Sequence, residues 1–338
     1  MSAAAMRPLA LTMGEPAGIG GEITLMAWRD RDPDTPPFFV IDHPPRLADL
    51  CRRLDWKVPL ATLADPAEAV AAFGDALPVL PIDLPRTVCP GAPDATNAAV
   101  VIDSIDRGVD LVTAGIAAAL VTNPIHKHVL IKSGFRHPGH TDYLAERAGR
   151  PGQAVMMLAA PALRVVPVTV HIPLSRVSQT LTVDAIHHCG RVTAAALTRD
   201  FAIAAPRLAV AGLNPHAGED GALGTEESEI IVPAVARLRD DGIAVVGPTA
   251  ADSLFHDAAR QRFDAALCMY HDQALIPLKT LDFNGGVNVT LGLPFVRTSP
   301  DHGTALDIAG TGTANPRSLI EALKLAASMA AARAAYDG

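Results

Sequence analysis

Short runs of apolar residues recur along the chain, separated by longer segments in which Ala and Leu return at helical spacing. A run of four to six apolar residues bounded by Gly, Pro or Asn reads as a strand buried on both faces, the form strands take when helices cover a parallel sheet. The pattern predicts strands at Leu9–Met13, Phe38–Ile41, Ala118–Thr122, Ala154–Leu158, Val165–Val170, Leu208–Leu213, Ile243–Val246, Ala265–Met269 and Val287–Thr290. It predicts helices over Ala95–Thr113, Asp184–Asp200, Thr225–Asp240 and Asn315–Ala335. Strands alternating with helices in this way indicate an α/β protein. The segment Pro78–Pro93 holds five prolines and little periodicity, so a loop or edge excursion is expected there. No internal repeat or low-complexity linker marks a domain boundary, and the chain is expected to cross between domains more than once.

Composition narrows the picture. A length of 338 residues suits about two domains. Hydrophobic residues make up 49% but aromatics only 4%, so the core is built from Ala, Val, Leu and Ile. That excludes a disordered or disulfide-dependent chain. Cys51, Cys89, Cys189 and Cys268 form no C-x-x-C pair and fit reduced thiols. Met1–Leu9 lacks the pattern of a signal peptide, and no apolar run reaches the ~18 residues of a membrane span. A cytoplasmic protein without a membrane partner is expected. The net charge of −8, from 28 basic and 36 acidic residues, argues against a nucleic-acid partner but not against an anionic small molecule.

Phosphate-loop, zinc-protease and serine-hydrolase signatures are absent. Gly18, Gly20 and Gly21 lack G-x-G-x-x-G spacing, and Gly14–Gly21 reads as a tight strand-to-helix turn. Three of the twelve histidines share a context: His171, His216 and His271 each stand at or just beyond the end of a predicted strand. Ligands of open α/β sheets sit outside the carboxyl ends of strands, so these imidazoles could converge on a divalent metal such as zinc. The plain alternative for any one of them is a hydrogen-bonded structural histidine. Lys279, Asn288 and Arg297 follow in a Pro- and Gly-punctuated segment; a point charge with a guanidinium fork suits phosphate or carboxylate, though such residues are also ordinary surface charges. Gly139-His140-Thr141-Asp142 reads as a polar turn opening a helix, where anions are favoured, or simply as a helix cap. The run Asp301–Pro316 is Gly- and Thr-rich and ends at Asn-Pro before a long helix.

That last run resembles the dinucleotide-binding loop of isocitrate and isopropylmalate dehydrogenases, H-G-[ST]-A-x-D-I-A-G-x-G-x-A-N-P, reproduced closely from His302 to Pro316. Those enzymes bind NAD without a G-x-G-x-x-G motif. The rest of the chain resembles one branch of that superfamily, the 4-hydroxythreonine-4-phosphate dehydrogenases of pyridoxal phosphate biosynthesis. The resemblance rests on Gly14–Gly20, Val121-Thr122-Asn123-Pro124-Ile125, Pro138-Gly139-His140-Thr141, Leu213–Glu219, Tyr270-His271-Asp272-Gln273 and Phe283-Asn284 through Ser299. His126 replaces a more usual Asn and Gly21 a more usual Pro.

The resemblance implies two α/β/α domains flanking a cleft, the first 1–135 plus 300–338, with the NAD loop 301–316, and the second 136–299. It implies His171, His216 and His271 as ligands of a zinc, magnesium or cobalt ion. His140, Thr141, Lys279, Asn288 and Arg297 would hold the substrate, with Lys279 as a charge stabiliser or proton relay. His302, Gly303, Asp307, Gly310, Gly312 and Asn315 would hold NAD or NADP. The expected substrate is a phosphorylated amino acid, and the expected assembly a homodimer with the active site near the subunit interface. A paralogue acting on a phosphorylated four-carbon sugar acid or an aromatic cis-dihydrodiol dicarboxylate is the alternative. An acyltransferase of related fold or a non-catalytic binding protein would lack a use for the histidines and the loop.

Overall fold

Every apolar run singled out above forms a strand in the computed structural model, which describes residues 7–137 and 139–338. The first six residues, and Pro138 of the Pro138–Thr141 run, lie outside the described residues. The strands are β1 (Leu9–Thr12), β2 (Phe38–Asp42), β3 (Leu60–Thr62), β4 (Leu77–Pro81), β5 (Leu120–Thr122), β6 (Val155–Ala160), β7 (Leu163–Thr169), β8 (Arg207–Ala211), β9 (Ala244–Thr249), β10 (Ala265–Tyr270), β11 (Val287–Leu291) and β12 (Arg297–Pro300). The chain divides into two compact units. One runs to Ala154 and resumes from Leu293 to Ala330; the other comprises Val155–Gly292 and Ala331–Gly338. The helix His140–Arg147 therefore belongs to the first unit.

In the first unit the strand order is β3-β4-β2-β1-β5-β12, and the pairings are parallel. Strands β1 and β2 are buried at every position, as continuous apolar runs require. The helix Ala98–Thr113 packs on β1, β2 and β5, and its Ile105 and Val109 join Phe39, Ile41 and Leu120 in the core.

In the second unit the order is β11-β6-β7-β10-β8-β9. Strands β7, β10, β8 and β9 run parallel, while β6 is antiparallel to both β7 and β11. Leu158, Val165, Ala209, Ala266, Cys268 and Leu278 are among its buried core residues.

Three strands were not visible in the apolar pattern. The first four residues of the proline-rich stretch, expected as a loop, belong to β4, which lies between β3 and β2. Buried Leu77, Val79 and Leu80 outweigh the hydrogen-bond donors its prolines lack. Strand β3 is too short and too exposed to stand out, and β12, Arg-Thr-Ser-Pro, is polar yet wholly buried. The expected helix Thr225–Asp240 opens with a π-helical turn, Glu227–Ile231, before the α-helix Val232–Asp240.

Candidate functional site

His171, His216 and His271, all in the second unit, follow three strands that prove to be neighbours. Strand β10 lies between β7 and β8, with Tyr270 opposite Thr169 and Leu267 opposite Val210. His171 comes two residues after β7, His271 directly after β10, and His216 five residues after β8. Buried side chains lace these strand ends together. Thr169 Oγ1 donates to the Met269 carbonyl at 2.7 Å. Gln273 Oε1 accepts the Met269 N–H at 2.6 Å, and its Nε2 donates to the Gly212 carbonyl at 2.8 Å.

The rings of His171 and His271 stand 5.7 Å apart, centroid to centroid. Both line a depression of about 220 Å³ with Thr169, Ile172, Leu174 and Tyr270. His271 Nδ1 pairs with Asp272 Oδ1 at 2.7 Å, and a carboxylate behind one ring nitrogen is the usual support of a ligating imidazole. His216 sits on a turn in which His216, Ala217, Glu219 and Asp220 all have positive φ. Among the described residues, no three His, Cys, Asp or Glu side chains gather closely enough to hold an ion as they stand. The donor chemistry nevertheless fits a divalent metal: two adjoining imidazoles, a third on the neighbouring strand end, and a supporting carboxylate.

One residue that the sequence reading missed shapes the His216 turn. Buried Glu227, in the π-helical turn, accepts the Leu213 and Asn214 N–H groups at 2.8 and 2.7 Å. It also accepts Asn214 Nδ2 at 2.9 Å. Nothing in its local sequence distinguishes it from a solvated helical glutamate.

The proposed substrate residues divide between the units. Lys279 and Asn288 belong to the second. Lys279 lies on the helix His271–Leu281 with Nζ 5.3 Å from the centroid of the Phe283 ring, and Asn288 is on β11 with Oδ1 buried and lacking a hydrogen-bond partner. His140, Thr141 and Arg297 belong to the first. Arg297, only 3% exposed, opens β12 and donates to Thr122 Oγ1 at the end of β5 over 2.6 Å. Burial lowers its guanidinium pKa to about 9, so it remains a cation at neutral pH. His140, at the start of its helix, has its Nε2 out of solvent reach without a hydrogen-bond partner. Burial first, then the charges of Arg297 and Lys127, hold its pKa well below the ordinary value and keep the ring neutral. Lys127, which sequence reading passed over, opens the helix Lys127–Lys132, and a Cβ on Gly139 would lie 3.6 Å from its Nζ. This corner of the first unit is therefore a positive site with a neutral imidazole beside it.

The run His302–Asn315 also lies in the first unit. Gly303, Asp307, Thr311, Thr313 and Asn315 are exposed along it, while Ala309, Gly310 and Ala314 are buried. His302 Nδ1 approaches the Gly303 carbonyl at 3.1 Å, and Asn315 Oδ1 accepts the Arg317 N–H at 3.0 Å where the final helix begins. The strand-to-helix turn Gly14–Gly21 touches the run: Ile19 N–H donates to the Thr304 carbonyl at 3.0 Å. Asn123 braces that turn, with Nδ2 donating to the Thr12 carbonyl at 3.0 Å and to Thr24 Oγ1 at 2.9 Å. A cavity of about 370 Å³ adjoins the run, lined among others by Glu22, His43, Arg53, Arg86 and Gly310. An exposed ridge of backbone and small polar side chains, anchored from beneath, fits the adenosine end of a dinucleotide.

The family model for the pyridoxal phosphate biosynthetic protein PdxA matches residues 35–326. A 4-hydroxythreonine-4-phosphate dehydrogenase of Bradyrhizobium diazoefficiens is 54% identical over 340 residues, spanning 97% of this chain and 99% of the relative. Among solved structures, a 4-hydroxythreonine-4-phosphate dehydrogenase from Klebsiella pneumoniae aligns with a TM-score of 0.87 and 37% identity, covering 96% of this chain and 99% of the other. A terephthalate 1,2-cis-dihydrodiol dehydrogenase from Burkholderia xenovorans aligns with a TM-score of 0.64 and 26% identity, covering 95% and 98%. With the family model spanning most of its length and relatives matching it nearly end to end, the chain belongs to the pyridoxal phosphate biosynthetic protein PdxA family.

Proposed function

We propose that this enzyme oxidises the secondary alcohol of 4-phosphooxy-L-threonine with NAD or NADP in the presence of a divalent metal ion. The product, 2-amino-3-oxo-4-phosphooxybutanoate, loses carbon dioxide to give 3-amino-2-oxopropyl phosphate, a precursor of pyridoxine 5′-phosphate. The observation that carries this reading is the placement of His171, His216 and His271 at the carboxyl ends of three adjacent parallel strands. A zinc, magnesium or cobalt ion held there would supply Lewis-acid polarisation of the substrate's oxygen. The chain's own residues do the rest. Arg297 and Lys127 offer the positive charge a phosphate needs, and neutral His140 and Thr141 add hydrogen-bonding groups beside them. Lys279 stabilises developing negative charge or relays a proton, and Asn288 presents its buried amide. The loop from His302 to Asn315, with Gly303, Asp307, Gly310 and Gly312, would hold the dinucleotide, whose nicotinamide would supply the hydride acceptor.

We further propose a homodimer. Leu174, Ile276 and Phe283 are 70%, 63% and 73% exposed, and Leu174 lines the depression that holds His171 and His271. An apolar surface beside polar chemistry suits a second copy that completes the metal site.

NADH formation tests the reading. It should appear with 4-phosphooxy-L-threonine, not with 4-hydroxythreonine, and should disappear on chelation and return with zinc, magnesium or cobalt. A phosphorylated four-carbon sugar acid and an aromatic cis-dihydrodiol dicarboxylate belong in the same panel, because Arg297 and Lys279 also suit a carboxylate. Turnover of one of these in preference to the phosphorylated threonine would overturn the substrate assignment. Activity that survives complete metal removal would overturn the role of the histidines.

A further inference from the structure

We propose that Glu22 is a positioning residue for the cofactor loop, setting the loop's backbone in the form that receives the dinucleotide. The inference rests on the reading that the run His302–Asn315 binds NAD. Glu22 is the third residue of the helix Gly20–Arg29, where a glutamate ordinarily folds back onto the N–H that precedes the helix. Here it does not. The Ile19 N–H is taken by the Thr304 carbonyl, and Glu22 reaches away from its own helix. One carboxylate oxygen accepts the Gly310 N–H, and the other accepts the Gly312 N–H at 2.9 Å. The carboxylate is fully buried, so these charge-assisted bonds act without competition from water.

The loop needs such a clamp. Its buried side chains are small, Ala309 and Ala314, and several neighbours are exposed, so apolar burial alone gives it little reason to hold one shape. Gly310 and Gly312 both have φ +76°, a conformation that L side chains rarely adopt, and this turns their two amides onto one carboxylate. Arg53 Nε adds a bond to the Gly310 carbonyl at 3.1 Å, so Gly310 is held through both its N–H and its carbonyl. A loop preordered in this way loses less freedom when the dinucleotide binds.

Glutamine at this position keeps the shape but offers one acceptor instead of two, and its amide N–H₂ would face an N–H donor. The test is a titration of wild type, Glu22→Gln and Asp307→Ala with NADH. The emission of Trp56, which adjoins Gly312, reports on the loop. Thermal unfolding and calorimetric binding of 4-phosphooxy-L-threonine are followed alongside. For Glu22→Gln we expect the NADH Kd and the KM for NAD to rise roughly tenfold or more, with the melting temperature lowered by only a few degrees and the affinity for phosphorylated substrate unchanged. An unchanged NADH Kd would overturn the proposal. Equal loss of both ligands together with early unfolding would also overturn it, by making Glu22 a purely structural residue. If Glu22→Gln does not fold, Glu22→Asp serves instead: it keeps the charge with a shorter reach, and weakened NADH binding supports the proposal while unaltered binding refutes it. Failure of the cofactor reading looks different. In that case wild type does not bind NADH, or Asp307→Ala binds it as well as wild type does.

Discussion

Arg297 and His140 show how burial makes chemistry out of ordinary residues. Burial lowers the guanidinium pKa of Arg297, 3% exposed, to about 9, and the group keeps its charge at neutral pH while donating to the Thr122 hydroxyl. Burial first, then the charges of Arg297 and Lys127, hold His140 neutral. This has a consequence for stability. In the unfolded chain the imidazole takes up a proton near 6.5, whereas in the folded protein it does so only at much lower pH. The unfolded state then binds the extra proton as pH falls, so the contribution is complete above about 6.5 and is lost progressively below it, by up to ~1.4 kcal/mol per pH unit. Thermal unfolding of wild type and His140→Gln, compared from about pH 7.5 to about pH 5, should show a shallower decline in the variant. Parallel curves would mean that His140 is not held neutral. From the sequence His140 was a polar residue opening a helix, because its burial, the main cause of the shift, and the charge of Arg297, more than a hundred residues later, both come from the tertiary fold.

Among the elements, the strand ends of the second unit do the organising. Their apolar runs were legible because burial on both faces leaves no polar positions to interrupt them. The positions of the three histidines after those runs were legible too. Their adjacency was not: β7, β10 and β8 are neighbours out of chain order, and the bonds from Thr169 and Gln273 that join their ends span about a hundred and about sixty residues. The same holds for the His216 turn, whose run of positive φ is organised by Glu227 from a different element. Replacing Glu227 by Gln should cost this turn at least one acceptor and weaken metal affinity about 10–100-fold, leaving NADH binding intact. A metal titration followed by calorimetry reads the effect, and unchanged metal affinity would separate Glu227 from the metal site. The strands missed by pattern, β3, β4 and β12, are those whose residues are too few, too proline-rich or too polar to signal a strand without their neighbours.

For the whole molecule, the chain leaves its first unit after Ala154 and returns at Leu293, with its last residues back in the second. No compositional seam announces these crossings, since both units use the same aliphatic core. No helix among the described residues is long and apolar enough to span a membrane. The exposed side chains of Leu174, Ile276 and Phe283 are the surface on which the proposed dimer would form. Light scattering on the intact protein should report a dimer, and the double substitution Leu174→Glu with Phe283→Glu should yield monomers with little dehydrogenase activity. A wild-type monomer that is fully active would remove the second copy from the site.

The sequence by itself determined the α/β class, the positions of the main strands and the family likeness, because each depends on local periodicity or on contiguous motifs such as His302–Pro316. Only the tertiary structure decided which strand ends meet, which carboxylates hold the His216 turn and the run His302–Asn315, and which imidazole is kept neutral. Those outcomes depend on burial and on hydrogen bonds between residues far apart in the chain. A carboxylate such as Glu22 reads as solvated helix surface until the Gly310 and Gly312 amides, brought from the other end of the protein, close over it.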